Sequence, residues 1–289
     1  MQEDPFFGKK LNPQDRVSCL GRATEYYLER RYPEDDPLRY SEALTLINSD
    51  NVVVRAAVFE KITSYTGSWR VNVDGKSQYL WHDLDDDEKY GTLKSLTDVF
   101  RGKASDDSSP LVRARATGAL AKFYRFATGP IIGVKKADYR SDLIKSSTSD
   151  FLELIRSEED SYAKGSKILQ AWRYVTNDCY PDRSMRESVN SLKNETNCFL
   201  NNPGYAEASV VLLFEILTSP YNGFEKLSGT DCFTFDKMFE IVQEDKSGKA
   251  GMEVVRLATK YVRQNLDRPT DTREIQILDS FIAAAAKLR

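Results

Sequence analysis

A short phrase recurs three times along this 289-residue chain. It reads Asn51-Val-Val-Val-Arg55-Ala-Ala, then Ser109-Pro-Leu-Val-Arg113-Ala-Arg-Ala, then Gly251-Met-Glu-Val-Val-Arg256-Leu-Ala. Each copy has a turn-type or polar start, a branched apolar residue, an arginine, and then small and apolar residues at helical spacing. A supersecondary unit that cannot bury its apolar face alone must bury it against a neighbour, so repetition points to stacked helical hairpins. Architectures of that kind more often bind than catalyse.

Periodicity supports helix over nearly the whole chain. Asn12-Pro13 pairs a capping residue with proline at the first helical position and opens a helix to about Tyr32. Pro37 begins a second helix, to Ile47, with Asp35 and Asp36 at its positive end. The first repeated phrase carries the stripe Val54, Val58, Ile62 and Tyr65. A helix from Asp86 to Arg101 presents Leu93, Leu96 and Phe100, and a Ser/Asp-rich loop at 105–110 leads to the second phrase. There the stripe is Val112, Ala116, Ala119, Phe123 and Ala127.

Gly129-Pro130-Ile-Ile-Gly133 is a candidate break between halves of a single elongated helical-repeat domain, 1–289. Helices are then expected at 138–156, 160–177, 184–201, 205–218, 234–245, 249–267 and 271–288. The third phrase carries Val255, Ala258, Val262 and Leu266, and the last helix Ile275, Leu278, Ile282, Ala285 and Leu288. The segment 70–81 interrupts this pattern. Arg70-Val-Asn-Val73 and Ser77-Gln-Tyr-Leu-Trp81 flank Asp74-Gly75, the composition of a two-residue hairpin turn. A small β-hairpin inserted between helices is expected there.

The Val54-Arg55-Ala56-Ala57, Val112-Arg113-Ala114-Arg115-Ala116 and Val255-Arg256-Leu257-Ala258 segments resemble the second helix of HEAT/armadillo-like repeats. The resemblance implies an all-α fold, an α-α superhelix with the branched residue in the core. It also implies structural arginines at Arg55, Arg113 and Arg256 that support packing between repeats. The spacing departs from the family, since 58 residues separate Arg55 from Arg113 and 143 separate Arg113 from Arg256. A repeat of roughly 40–47 residues is typical. The inserted hairpin accounts for the first excess, and about three units with eroded signatures would fill the second interval.

A net charge of −3 argues against a dedicated nucleic-acid binder. The most apolar run, Ala206 to Leu217, is broken by Glu207 and Glu215 and is too short to span a membrane, so it reads as a buried helix. The Met-Gln-Glu-Asp-Pro start lacks a signal-peptide pattern. A cytoplasmic location is favoured, with a secreted or periplasmic mature form left open. Cys19, Cys179, Cys198 and Cys232 contain no CxxC and read as core thiols, with Cys179–Cys198 the pair best placed for a disulfide. Asn194-Glu-Thr196 is a formal glycosylation acceptor.

Catalytic patterns fail on inspection. His82 is the one histidine, which rules out multi-histidine metal sites. The acidic run Asp83, Asp85, Asp87 fits a calcium loop at three positions, but Glu88 and Lys94 stand where glycine and the bidentate glutamate belong. Ser247-Gly-Lys-Ala250 lacks the earlier glycine and the hydroxyl of a phosphate loop. Carboxylate pairs such as Glu25 and Glu29 have no histidine partner. No catalytic residue, metal or cofactor is assigned.

Two surfaces stand out instead. Between Leu111 and Lys145, Arg113, Arg115, Lys122, Arg125, Lys135, Lys136, Arg140 and Lys145 outnumber Asp138 and Asp142. If Arg115, Lys122, Arg125 and Lys135–Lys136 face one groove, they would attract an acidic partner or phosphates. Trp69, Tyr79 and Trp81 gather at the hairpin, and such aromatics are enriched at binding hot spots. The expected function is a protein-protein interaction or scaffold module that binds a protein partner through its concave face and hairpin, with His82 beside it. The alternative is a helical enzyme or small-ligand domain using His82 with its acidic and basic neighbours. Nucleic-acid binding is the weakest reading.

Overall fold

Asn51 and Ser109 each start a helix whose fourth or fifth residue is an arginine, and both helices begin in the same way. A computed structural model describes residues 45–65, 70–73, 76–79, 87–128, 136–176, 184–219, 232–265 and 272–286. In α1 (Val52–Tyr65), Ser49 Oγ accepts from the Asn51 N–H at 3.2 Å, and Arg55 Nη1 donates to Ser49 O at 2.7 Å. In α3 (Pro110–Thr128), Asp107 Oδ1 accepts from the Ser109 N–H at 3.0 Å, and Arg113 Nη1 donates to Asp107 O at 2.8 Å. A polar residue six positions before the arginine thus turns the chain with its side chain and anchors the arginine with its carbonyl. The side-chain acceptor satisfies an N–H that a helix N-terminus leaves without an intrahelical partner, and the arginine ties the preceding turn to the helix.

Arg55 also joins the two copies. Its Nε and Nη2 donate to Asp107 Oδ2 and Oδ1 at 2.8 and 2.9 Å, a buried bidentate pair between α1 and the connection that precedes α3. The helix before that connection, α2 (Asp87–Asp106), runs five residues beyond the expected end at Arg101, because Ala104 continues the fully buried stripe of Leu93, Leu96 and Phe100. α3 packs on both α1 and α2, with Val112, Ala116, Ala119, Phe123 and Ala127 all buried as the periodicity predicts. Phe100 sits edge-on to Phe59 of α1 and Phe123 of α3, with centroids 5.6 and 4.8 Å away. Offset and edge-to-face pairs of this kind are favoured by the ring quadrupole.

Between α1 and α2, β1 (Arg70–Val73) pairs antiparallel with β2 (Lys76–Tyr79), Arg70 opposite Tyr79 and Val73 opposite Lys76. The chain is otherwise predominantly helical among the described residues. It divides into two compact units, 1–147 and 148–289, and the division falls within α4 (Ala137–Arg156). The expected break at Gly129–Gly133 lies outside the described residues, as do the helix at 13–32 and most of that at 37–47.

The second unit continues with α5 (Ser161–Val175), α6 (Ser184–Leu200), a 3₁₀ turn (Pro203–Tyr205), α7 (Ala206–Thr218), α8 (Phe235–Glu244), α9 (Lys249–Asn265) and α10 (Thr272–Ala286). These bounds lie within a few residues of the expected ones. α7 is apolar nearly all round and is the centre of the unit, touching α5, α6, α8 and α9. Gly165 of α5 lets α6 and α7 approach. A Cβ there would stand 3.2 Å from Phe199 Cζ and 3.6 Å from the Ala208 carbonyl oxygen. The α4–α5 connection repeats the acid device. Glu158 Oε1 accepts from the Asp160 N–H at 3.0 Å, and Lys167 Nζ lies 2.8 Å from Glu158 Oε2, both side chains fully enclosed.

The third phrase departs from the first two. α9 starts at Lys249, so Arg256 is its eighth residue and pairs within the helix, donating from Nε and Nη2 to Glu253 at 2.8 and 2.6 Å. Its buried positions are Ala250, Glu253, Val254 and Leu257, while Val255 is 66% exposed and Val262 42%. The buried column is therefore the one adjacent to the expected stripe, and it is selected by packing on α7. In α10 the stripe is also shifted. Ile275 and Ile282 are exposed, and Phe281 packs on Phe235 and Phe239 of α8.

Asp107→Asn should lower stability by about 3–5 kcal/mol in urea denaturation, since it leaves Arg55 buried without a counter-charge. Burial of Asp107 works to raise its pKa. The Arg55 hydrogen bonds, the Ser109 N–H and the charges of Arg55 and Lys103 outweigh it, so the folded pKa lies below the ordinary carboxylate range. A depressed folded pKa means the contribution is complete above the unfolded-state value and is lost as pH falls below about 4. Denaturation midpoints measured from pH 7 to pH 3 should drop for the native chain, and the Asp107→Asn chain should lack that share of the drop. Gly165→Val should cost about 1–3 kcal/mol by overpacking against Phe199, measured in the same way.

Candidate functional site

The helical period places Arg115, Lys122 and Arg125 along one side of α3, as Arg115 and Lys122 are seven apart and Lys122 and Arg125 three apart. Arg115 Nη1 reaches Glu60 Oε1 of α1 at 3.4 Å, a loose pair of half-exposed side chains. Lys122 is half-buried with its Nζ 5.5 Å from the centroid of Phe126. Burial, and then the like charge of Arg125, push the Lys122 pKa below its ordinary value. No carboxylate among the described residues neutralises this ammonium.

Lys136 does not belong to that side. It pairs with Asp87 of α2 at 3.0 Å, in a reciprocal clasp between α2 and the first turns of α4. The rings of Tyr90 and Tyr139 stack with centroids 4.1 Å apart and planes 8° from parallel. Tyr139 Oη donates to Asp87 Oδ1 at 2.5 Å, and Tyr90 Oη donates to Asp142 Oδ2 at 3.0 Å. Lys94 Nζ completes the exchange, 3.1 Å from Asp142 Oδ2. The tyrosine and then lysine hydrogen bonds to Asp87 hold its pKa low, and those from Lys94 and Tyr90 do the same for Asp142. Burial and then Asp142 push the Tyr90 phenol well above its usual value. Every polar group in the clasp has a partner, so it is a fastening rather than an anion site. Its signal was present in the sequence as Asp87-x-x-Tyr90-x-x-x-Lys94 facing Lys136-x-x-Tyr139-x-x-Asp142, charges reversed, but it becomes readable only once α2 is known to touch α4.

A third polar cluster crosses α5, α7 and α9. Tyr162 Oη donates to Glu207 Oε2 at 3.0 Å, and Lys249 Nζ lies 3.8 Å from Glu207 Oε1. Burial and then Glu207 raise the Tyr162 pKa far above the ordinary phenol value. Glu253 and Arg256 pair beside it, so carboxylates and cations balance. No group of three or more His, Cys, Asp or Glu placed to hold a metal occurs among the described residues.

The aromatic surface is described only in part. Trp69, Trp81 and His82 lie outside the described residues, and Tyr79 is placed by its backbone alone, in β2 opposite Arg70. Cys19 and Cys179 also lie outside, and with them the expected Cys179–Cys198 pair; Cys198 is exposed and Cys232 buried. In the Asn194-Glu-Thr196 triplet, Asn194 is exposed, but Thr196 is buried in α6, where its hydroxyl accepts from Trp172 Nε1 at 3.0 Å. No described helix is long and apolar enough to cross a membrane. No protein-family model, curated protein or solved structure matches the chain.

Tyr90→Phe should destabilise the chain by about 1.5–3 kcal/mol, the range for a hydrogen bond to a charged group. A double-mutant cycle with Asp142→Asn, read by thermal denaturation, should return a coupling above zero; additive losses would mean the two groups do not act together.

Proposed function

We propose that the chain is a helical-repeat binding module, an α-α superhelix of HEAT/armadillo type that engages a protein partner. The observation that carries this reading is the reuse of one helix-start geometry. Arg55 reaches the carbonyl of Ser49, Arg113 reaches that of Asp107, and the Asp107 carboxylate links the two copies through Arg55. Units joined in this way extend a surface by stacking, and extended surfaces of stacked hairpins suit partner binding. The β1–β2 ribbon, set between α1 and α2, would decorate the binding face, as insertions in repeat arrays often do. Helices α1 and α3 would line the concave side.

The test is affinity capture with the immobilised full-length chain, treated with nuclease and analysed by mass spectrometry. A protein enriched over a bead control, and lost when residues 70–79 are deleted from a chain with unchanged helical circular dichroism, is the expected result. If no protein shows that dependence, the partner-binding role of the ribbon is wrong.

A further inference from the structure

Exposed apolar side chains are concentrated on two helices of the second unit. Of the six large ones exposed among the described residues, five are on α9 and α10: Met252, Val255 and Val262, then Ile275 and Ile282. On α9, Met252, Val255, Thr259 and Val262 follow one another at steps of three, four and three, and all four are exposed. On α10, Ile275, Asp279, Ile282 and Ala286 follow at steps of four, three and four, again all exposed. These are the spacings of a helix–helix seam. Each helix already packs inward through its other side. Tyr261 of α9 meets Phe214 of α7 edge-on, and Phe281 of α10 meets Phe235 and Phe239 of α8. Both rows stay open to solvent, so neither covers the other within one chain. Apolar residues scattered singly need no explanation, but a row at seam spacing on each of two helices marks an interaction surface.

We infer that a second copy of the chain covers these rows, with α9 of one copy lying antiparallel against α10 of the other. Set antiparallel, the rows match position by position. Val255 meets Ile282, Val262 meets Ile275, and the one polar member of each row, Thr259 and Asp279, fall opposite each other. At 1.5 Å per residue the paired positions stay within about 1.5 Å along the helix axes. Charge agrees with this register. Arg263 stands one turn beyond Thr259 on the exposed side of α9, and neither it nor Asp279 forms an ion pair with another described residue. The pairing brings that guanidinium to that carboxylate. A membrane surface fits worse, because it would have to take up Asp279 in the middle of the α10 row. An unrelated helix would account for one row but not for the match between the two. Used reciprocally, the contact closes a two-fold dimer. Two contacts of about 17 Å each place it near the lower limit of about 1,000 Å² for a specific interface, which suits micromolar association.

The experiment is sedimentation equilibrium on the full-length chain at loading concentrations from about 1 to about 200 µM, which bracket micromolar association. A monomer–dimer equilibrium is expected. Val255→Glu and Ile282→Glu should each weaken it at least about tenfold, by setting a carboxylate against an apolar side chain. Both positions are exposed in the single chain, so helical circular dichroism should not change. Arg263→Glu and Asp279→Lys should each weaken the dimer about threefold to tenfold, and the chain carrying both should return to within about twofold of the native constant. The inference is overturned if the chain is monomeric throughout, if Val255→Glu dimerises as the native chain does, or if the double charge reversal is no better than either single one. The dimer does not depend on the partner-binding role proposed above. A monomeric chain that still captures a ribbon-dependent protein would sink the dimer alone.

Discussion

The contact between Asp107 and Arg55 organises the first unit, because one carboxylate serves two elements at once. Asp107 closes the three-residue connection between α2 and α3 by accepting the Ser109 N–H, and both of its oxygens face the guanidinium of α1. A buried charge is tolerated only when it is paired and its remaining acceptors are filled. Here the fork of arginine matches the carboxylate, and the two other contacts of Nη1 go to carbonyls of Ser49 and Asp50. α1, the α2–α3 connection and the start of α3 are therefore held in one register, and the Phe59–Phe100–Phe123 contacts fill the space between them.

The same solution returns in the second unit with different residues. Glu158 turns the α4–α5 connection by accepting the Asp160 N–H and is neutralised by Lys167. Asp245 turns the α8–α9 connection by accepting from the Ser247 and Ala250 N–H groups, and Gly248 supplies the positive φ of 71° that the turn requires. An acid at each of these helix connections answers one physical need. Four amide groups at each helix start lack intrahelical partners, and a carboxylate there satisfies one or two of them while opposing the positive end of the helix dipole.

Many of the charges elsewhere fasten one element to another. The α2–α4 clasp uses opposite charges reciprocally, and the α5–α7–α9 cluster balances Glu207 and Glu253 against Lys249 and Arg256. Lys122 differs in kind. Its surroundings are the Phe126 ring and the like charge of Arg125 rather than a carboxylate.

Among the described residues, helix positions were legible from periodicity and from Gly, Pro and polar breaks, since those features act through local backbone preferences. The alignment of Arg115, Lys122 and Arg125 also follows from 3.6 residues per turn. What local sequence could not decide was which of two adjacent columns a helix buries. Val254 and Val255 are chemically identical neighbours, and only packing on α7 selects the first. Nor could it decide which arginine reaches a partner: Arg55 meets Asp107, 52 residues away, whereas Arg256 pairs with Glu253 on its own helix. The sequence by itself determined that the chain forms amphipathic helices with repeated starts. Tertiary structure decided which charges are consumed in holding those helices together, because that depends on distances between residues far apart in the chain.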